Sequence, residues 1–205
     1  MITVQAGFEN IRKFWDPNFR LNVAKVLPGD YYVGTQDELI TTVLGSCVAA
    51  CIRDTQRKVG GMNHFLLPLG DMGGGGGWET TSVSASTRYG NFAMEHLING
   101  ILRSGGKKQN LEIKLFGGAS VMDLASSDVG RRNIDFVLSF LREEGLPVHS
   151  QDLGGTLPRK LMYHPLTGKA LVKKLVSETQ SVVASEMSYL QKVRATPVAG
   201  EIELF

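Results

Sequence analysis

Cysteine is almost absent: Cys47 and Cys51 are the only two in 205 residues. Two thiols cannot build a disulfide framework, so a reducing cytoplasm is the expected compartment. No apolar run approaches the ~18–20 residues that a membrane helix needs. The opening stretch MITVQAGFENIRKFWDP also lacks the apolar core of a signal peptide. Excess charge of one sign is missing too. Lys and Arg total 22 against 20 Asp and Glu, a net charge of +2, which argues against a dedicated nucleic-acid binder and its basic footprint. What is present fits one folded domain. Hydrophobic residues make up 42%, enough to fill a core and to exclude intrinsic disorder. Glycine is in surplus, 24 residues or roughly 12% against an average near 7%. That points to strands, tight turns and function carried in loops.

The pattern along the chain predicts an α+β fold. Scattered aromatics (Phe8, Phe14, Trp15, Phe19) mark residues 1–22 as an N-terminal extension, with one domain over 23–205. Residues 25–27 and 31–33 read as short strands around the turn Pro28-Gly29-Asp30. The β-branched run 39–44 reads as a buried strand. Residues 48–53 read as strand or helix, because a short apolar run fits both. Strands are expected over 59–67, 111–116, 148–153, 160–163 and 169–176. Helices are expected over 87–102, from a cap at Ser127 or Asp128 to about 144, and from a Ser177/Gln180 capping box to about 192.

The glycine run at 73–77 reads first as a flexible surface loop and second as a mobile lid. It is not a phosphate loop: no Gly-Lys-Ser/Thr follows, and Trp78 stands where a dinucleotide fingerprint needs glycine. Cys47 and Cys51 lack the second ligand pair of a metal site. His96, His149 and His164 are scattered, and none is assigned a role. Cys47 stands apart, because Gly45-Ser46 precede it at the end of an apolar strand. A glycine there lets the backbone turn sharply, exposing a thiol and N–H groups that suit an oxyanion. His64 lies on the next strand, within reach of Cys47 if the two strands pair antiparallel. A Thr hydroxyl, from Thr41 or Thr42 on the preceding strand, can accept the ring N–H and fix the tautomer. Cys51, within VAACI, reads as a small buried apolar residue.

The segments TTVLGSCVAACIRD and VGGMNHFLLP, followed in order by RYGNFAMEHLINGIL, KLFGGASVM and VGRRNIDFVLSFL, resemble the signature of the CheD family, the chemoreceptor glutamine deamidases of bacterial chemotaxis. The resemblance covers roughly residues 25–175, and the ending GEIELF is also similar to many members. It implies a layered α/β sandwich with a mixed, largely antiparallel sheet. It puts the family's catalytic Cys on Cys47, its His on His64 and its Thr on Thr41. The implied reaction is hydrolysis of receptor glutamine side chains to glutamate and ammonia through a Cys thioester, as a protein-glutamine glutaminase, with glutamyl methyl esters entering the same path. No metal or organic cofactor is implied. The implied substrate is the cytoplasmic helical bundle of a chemoreceptor, and some relatives are expected to bind the CheC phosphatase. The enzyme itself is expected to be a monomer that is neither membrane-embedded nor bound to nucleic acid. Two rivals stay open: a non-enzymatic adaptor docking CheC around Phe116, Gly117 and Gly118, and a cysteine peptidase acting on main-chain amides.

Overall fold

The structure, a computed structural model, describes residues 7–67, 85–121 and 129–195. In chain order its strands are β1 (Arg12–Asp16), β2 (Leu21–Lys25), β3 (Tyr31–Gly34), β4 (Glu38–Leu44), β5 (Val48–Asp54) and β6 (Val59–Asn63). After α1 (Ala85–Arg103) come β7 (Leu111–Gly117), α2 (Val129–Glu143), β8 (Val148–Leu153), β9 (Arg159–His164), β10 (Lys169–Lys174) and α3 (Thr179–Ala195). The strands build two five-stranded sheets, ordered β1-β2-β4-β9-β10 and β3-β6-β5-β7-β8. Among the described strands only β2–β4 and β7–β8 pair in parallel. The α+β class and the largely antiparallel pairing agree with expectation, but the strands divide between two sheets rather than one.

Strand β5 shows why two sheets are needed. Val48, Ala50 and Ile52 join a core with Met94, Leu97 and Ile101 of α1 and Val137 and Leu141 of α2. Ala49 and Cys51, on the opposite face, join Ile40, Leu44, Leu161 and Tyr163 of the first sheet. Side chains alternate across a strand, so β5 is apolar throughout because both of its faces are covered. The layers therefore run first sheet, second sheet, then α1 and α2. Each fully buried large aliphatic side chain contributes about 1.5–3 kcal/mol, and α1 supplies Leu97 and Ile101 at zero exposure.

The segment set apart as an extension is partly strand. Arg12–Asp16 is an edge strand antiparallel to β2, and residue 22 falls inside β2. Strand β6 ends at Asn63, earlier than expected, with one further bridge between Val48 and Phe65. The His64 N–H turns instead to the Asp30 carbonyl at 3.0 Å. Helix α3 begins at Thr179, beyond the expected Ser177 cap. Phe116, Gly117 and Gly118 are buried, which removes them as a docking surface. The glycine run 73–77, Trp78, the cap candidates Ser127 and Asp128 and the ending GEIELF lie outside the described residues. No helix among the described residues is long and apolar enough to cross a membrane.

Candidate active site

The Val48–Phe65 bridge carries hydrogen bonds of 3.0 and 2.9 Å. It makes Cys47 and His64 diagonal neighbours on the face of the second sheet that meets the first. One His64 ring nitrogen, Cys47 Sγ and a Glu186 carboxylate oxygen lie within 4.8 Å of one another. The turn before β3 holds the histidine backbone, since the Gly29 N–H donates to the His64 carbonyl at 2.8 Å.

The ring is oriented by Thr42. Its Oγ1 lies 2.7 Å from His64 Nδ1 and donates its proton to the Val26 carbonyl at 2.8 Å. With that proton committed, the hydroxyl accepts from Nδ1–H, and the lone pair is left on Nε2. Nε2 is buried and has no hydrogen-bond partner among the described residues. Thr41 does not reach the ring. Its hydroxyl donates to the Leu161 carbonyl at 2.9 Å, because consecutive residues of β4 face opposite ways. The orienting position thus moves from Thr41 to its neighbour. Cys51 lies four residues beyond Cys47 on the same face of the sheet, buried in the core as expected.

The turn between β4 and β5 is held by its carbonyl groups. The Gly118 N–H donates to the Cys47 carbonyl at 2.7 Å and the Ala119 N–H to that of Gly45 at 2.8 Å. Asn133 of α2 donates from Nδ2 to the Ser46 carbonyl at 2.8 Å and accepts from the Leu67 N–H at 2.9 Å. Gly117 has φ +110°, and a Cβ there would overlap the Cys47 carbonyl oxygen, so the chain can approach this closely only with glycine. With its carbonyls tied down, the turn aims its N–H groups inward. Those of Gly45, Ser46 and Cys47 donate to the Glu186 carboxylate at 2.9, 3.0 and 3.1 Å. Ser46 Oγ adds a fourth bond at 2.7 Å.

The electrostatics follow from burial. Cys47 is fully buried, and its thiol is held well above its ordinary pKa by desolvation first and by the Glu186 charge second. Burial lowers His64 to about 4, against a smaller upward pull from Glu186. The thiol and the imidazole are therefore both uncharged in this arrangement. Cys47, His64 and Glu186 are close enough to share a cation. However, both Glu186 oxygens already face N–H donors, and that is the chemistry of an anion site.

Sequence reasoning missed Glu186 and Asn133. Asn133 carried no signal, since one amide in a helix reads as surface. Glu186 did carry one: it stands between Val182 and Leu190 at helical spacing, an acid inside the buried stripe of α3.

A thiol, an imidazole with a free nitrogen and a convergent set of backbone N–H groups form the equipment of a thiol-dependent acyl-transfer enzyme. The chain belongs to the CheD family. Residues 75–174 match the family described as CheD chemotactic sensory transduction. The protein named "Probable chemoreceptor glutamine deamidase CheD" in Halorhodospira halophila is 48% identical over 200 residues, covering 97% of this chain and 92% of that relative. Its namesake in Rhodopseudomonas palustris is 49% identical over 199 residues, covering 96% and 91%. That of Saccharophagus degradans is 48% identical over 204 residues, covering 97% and 92%.

Proposed function

We propose that this chain deamidates glutamine side chains of chemoreceptors, with Cys47 as nucleophile, His64 as proton carrier and Thr42 as the group that orients the ring. The observation that supports this most is the His64 imidazole next to the Cys47 thiol, with Nδ1 held by Thr42 and Nε2 buried without a hydrogen-bond partner among the described residues.

The thiol proton passes to Nε2 as sulfur attacks the carboxamide carbon and a C–S bond forms. The N–H groups of Gly45, Ser46 and Cys47 hold the oxyanion. The imidazolium protonates the nitrogen, the C–N bond breaks, and ammonia leaves a thioester. Water then gives a proton to His64 and its oxygen to the carbonyl. The C–S bond breaks, and glutamate and the thiol are restored. A glutamyl methyl ester would follow the same course and release methanol. Every step uses protein groups and water.

On this reading the substrate is a glutamine exposed on the cytoplasmic helices of a receptor, and the enzyme works in the cytoplasm. Intact-mass analysis of a receptor fragment tests the reading. The wild-type chain should add the mass of an NH2-to-OH exchange per modified glutamine, and Cys47→Ala should add none. Main-chain cleavage products in place of an intact, heavier fragment would favour a peptidase.

A further inference from the structure

As described, the site is shut by its own chain. Cys47 is fully buried and His64 is 2% exposed, so no external side chain reaches the sulfur while α3 is seated. The residue that closes the site has the chemistry of the product. Glu186 is a glutamate side chain carried on a helix, and its carboxylate accepts from the Gly45, Ser46 and Cys47 N–H groups. Deamidation of a glutamine on a helix leaves that same group at that same place. The fit is close, since a Cβ at Gly45 would lie 3.0 Å from both carboxylate oxygens.

The hold on α3 is narrow. Among the residues of α3 whose burial is described, Val182, Glu186 and Leu190 are buried, one per turn on a single stripe, with Met187 and Tyr189 packed partly buried beside them. Tyr189 adds a hydroxyl contact to Tyr89 of α1. The seat is also incompletely filled. A cleft of about 210 Å3 remains between α3 and the residues before β3, bordered by Val26, Pro28, Thr42, His64, Val182 and Glu186. Elements with few buried contacts open locally at lower free energy than core elements.

Resting on the deamidase reading above, we propose that the seat of α3 is the groove that receives the substrate's helix, and that α3 is an internal product analogue occupying it through Glu186. A receptor helix would displace α3 and insert one glutamine between the Gly45–Cys47 N–H groups and the thiol. Departure of α3 also removes burial and a negative charge from beside Cys47, the two leading causes that hold its thiol uncharged.

The substitution Glu186→Gln in the full chain tests this directly, because it places a carboxamide where the substrate's would sit. Peptide mapping should find residue 186 converted back to glutamate, at a rate independent of protein concentration and abolished when Cys47→Ala is added. A second variant, Leu190→Ala, keeps the acid but loosens the helix. It should raise both the alkylation rate of Cys47 and kcat/KM on a receptor fragment, by roughly tenfold as the open population grows. The wild-type chain is assayed on the same fragment. If it deamidates the fragment while residue 186 stays an amide and Leu190→Ala speeds neither reaction, the groove assignment is overturned and the deamidase reading stands. If neither the fragment nor residue 186 is ever deamidated, the deamidase reading falls and the inference falls with it.

Discussion

His64 Nδ1 sits 2.7 Å from Thr42 Oγ1, and the same hydroxyl gives its proton to the Val26 carbonyl. On the proposed mechanism a threonine thereby does the orienting work of a triad carboxylate, without itself adding a negative charge beside the thiol. Thr42→Val should lower kcat on the order of 10²-fold with KM little changed, because the ring loses its preferred tautomer. Thr41→Val should retain most activity and lose about 1 kcal/mol of stability, the worth of its bond to Leu161. Steady-state kinetics on both variants decide which residue orients the ring.

Part of this was legible from the chain and part was not. Residues 111–116 alternate as LEIKLF and fall within β7 (Leu111–Gly117), and residues 148–153 form β8 over the expected range. The helical period likewise located α1 and α2. Residues 48–53 stayed ambiguous between strand and helix because β5 is covered on both faces, which erases the alternation that identifies a strand. The division into two sheets was hidden because it depends on β3 leaving β2 and β4, which pair with each other, to join β6. At the site, the sequence spacing anticipated the nearness of Cys47 and His64, which the structure brings together, and their assignment as a catalytic pair came from the family resemblance. Choosing between Thr41 and Thr42 required the facing of β4, and Glu186 required knowing where α3 lands.

Asn133 should prove a positioning residue. It holds the Ser46 carbonyl and the Leu67 N–H together, both within the protein. Asn133→Leu leaves two buried backbone groups without partners, at about 1–3 kcal/mol each. Urea denaturation should register that loss. kcat should fall more than KM rises, because the displaced turn carries the N–H groups proposed to hold the oxyanion.

Gly117→Ala tests the packing behind the nucleophile. The positive φ and the overlap with the Cys47 carbonyl oxygen leave no room for a methyl group. Thermal melts should show a loss of at least ~1–3 kcal/mol. An unchanged melting temperature would mean that β7 does not press on the turn as described.

The pH dependence of stability has a definite sign. His64 falls from its ordinary 6.5 to about 4 on burial. Above pH 6.5 both folded and unfolded chains hold it neutral, and its contribution is complete. Between 6.5 and 4 only the unfolded chain takes up the proton, so stability drops as pH falls, by about 1.4 kcal/mol per pH unit. Comparing urea midpoints of the wild-type chain and His64→Gln across that window isolates the effect. The two curves should converge as the pH is lowered.

In the proposed reaction Cys47 sulfur forms a thioester with a glutamine side chain. The most direct measurement is acid quenching of the wild-type chain during turnover of a receptor fragment, followed by intact-mass analysis. A covalent adduct on Cys47, formed with loss of ammonia, cleaved by hydroxylamine and absent in Cys47→Ala, is the predicted result. Undiminished conversion of glutamine to glutamate by Cys47→Ala would contradict the account.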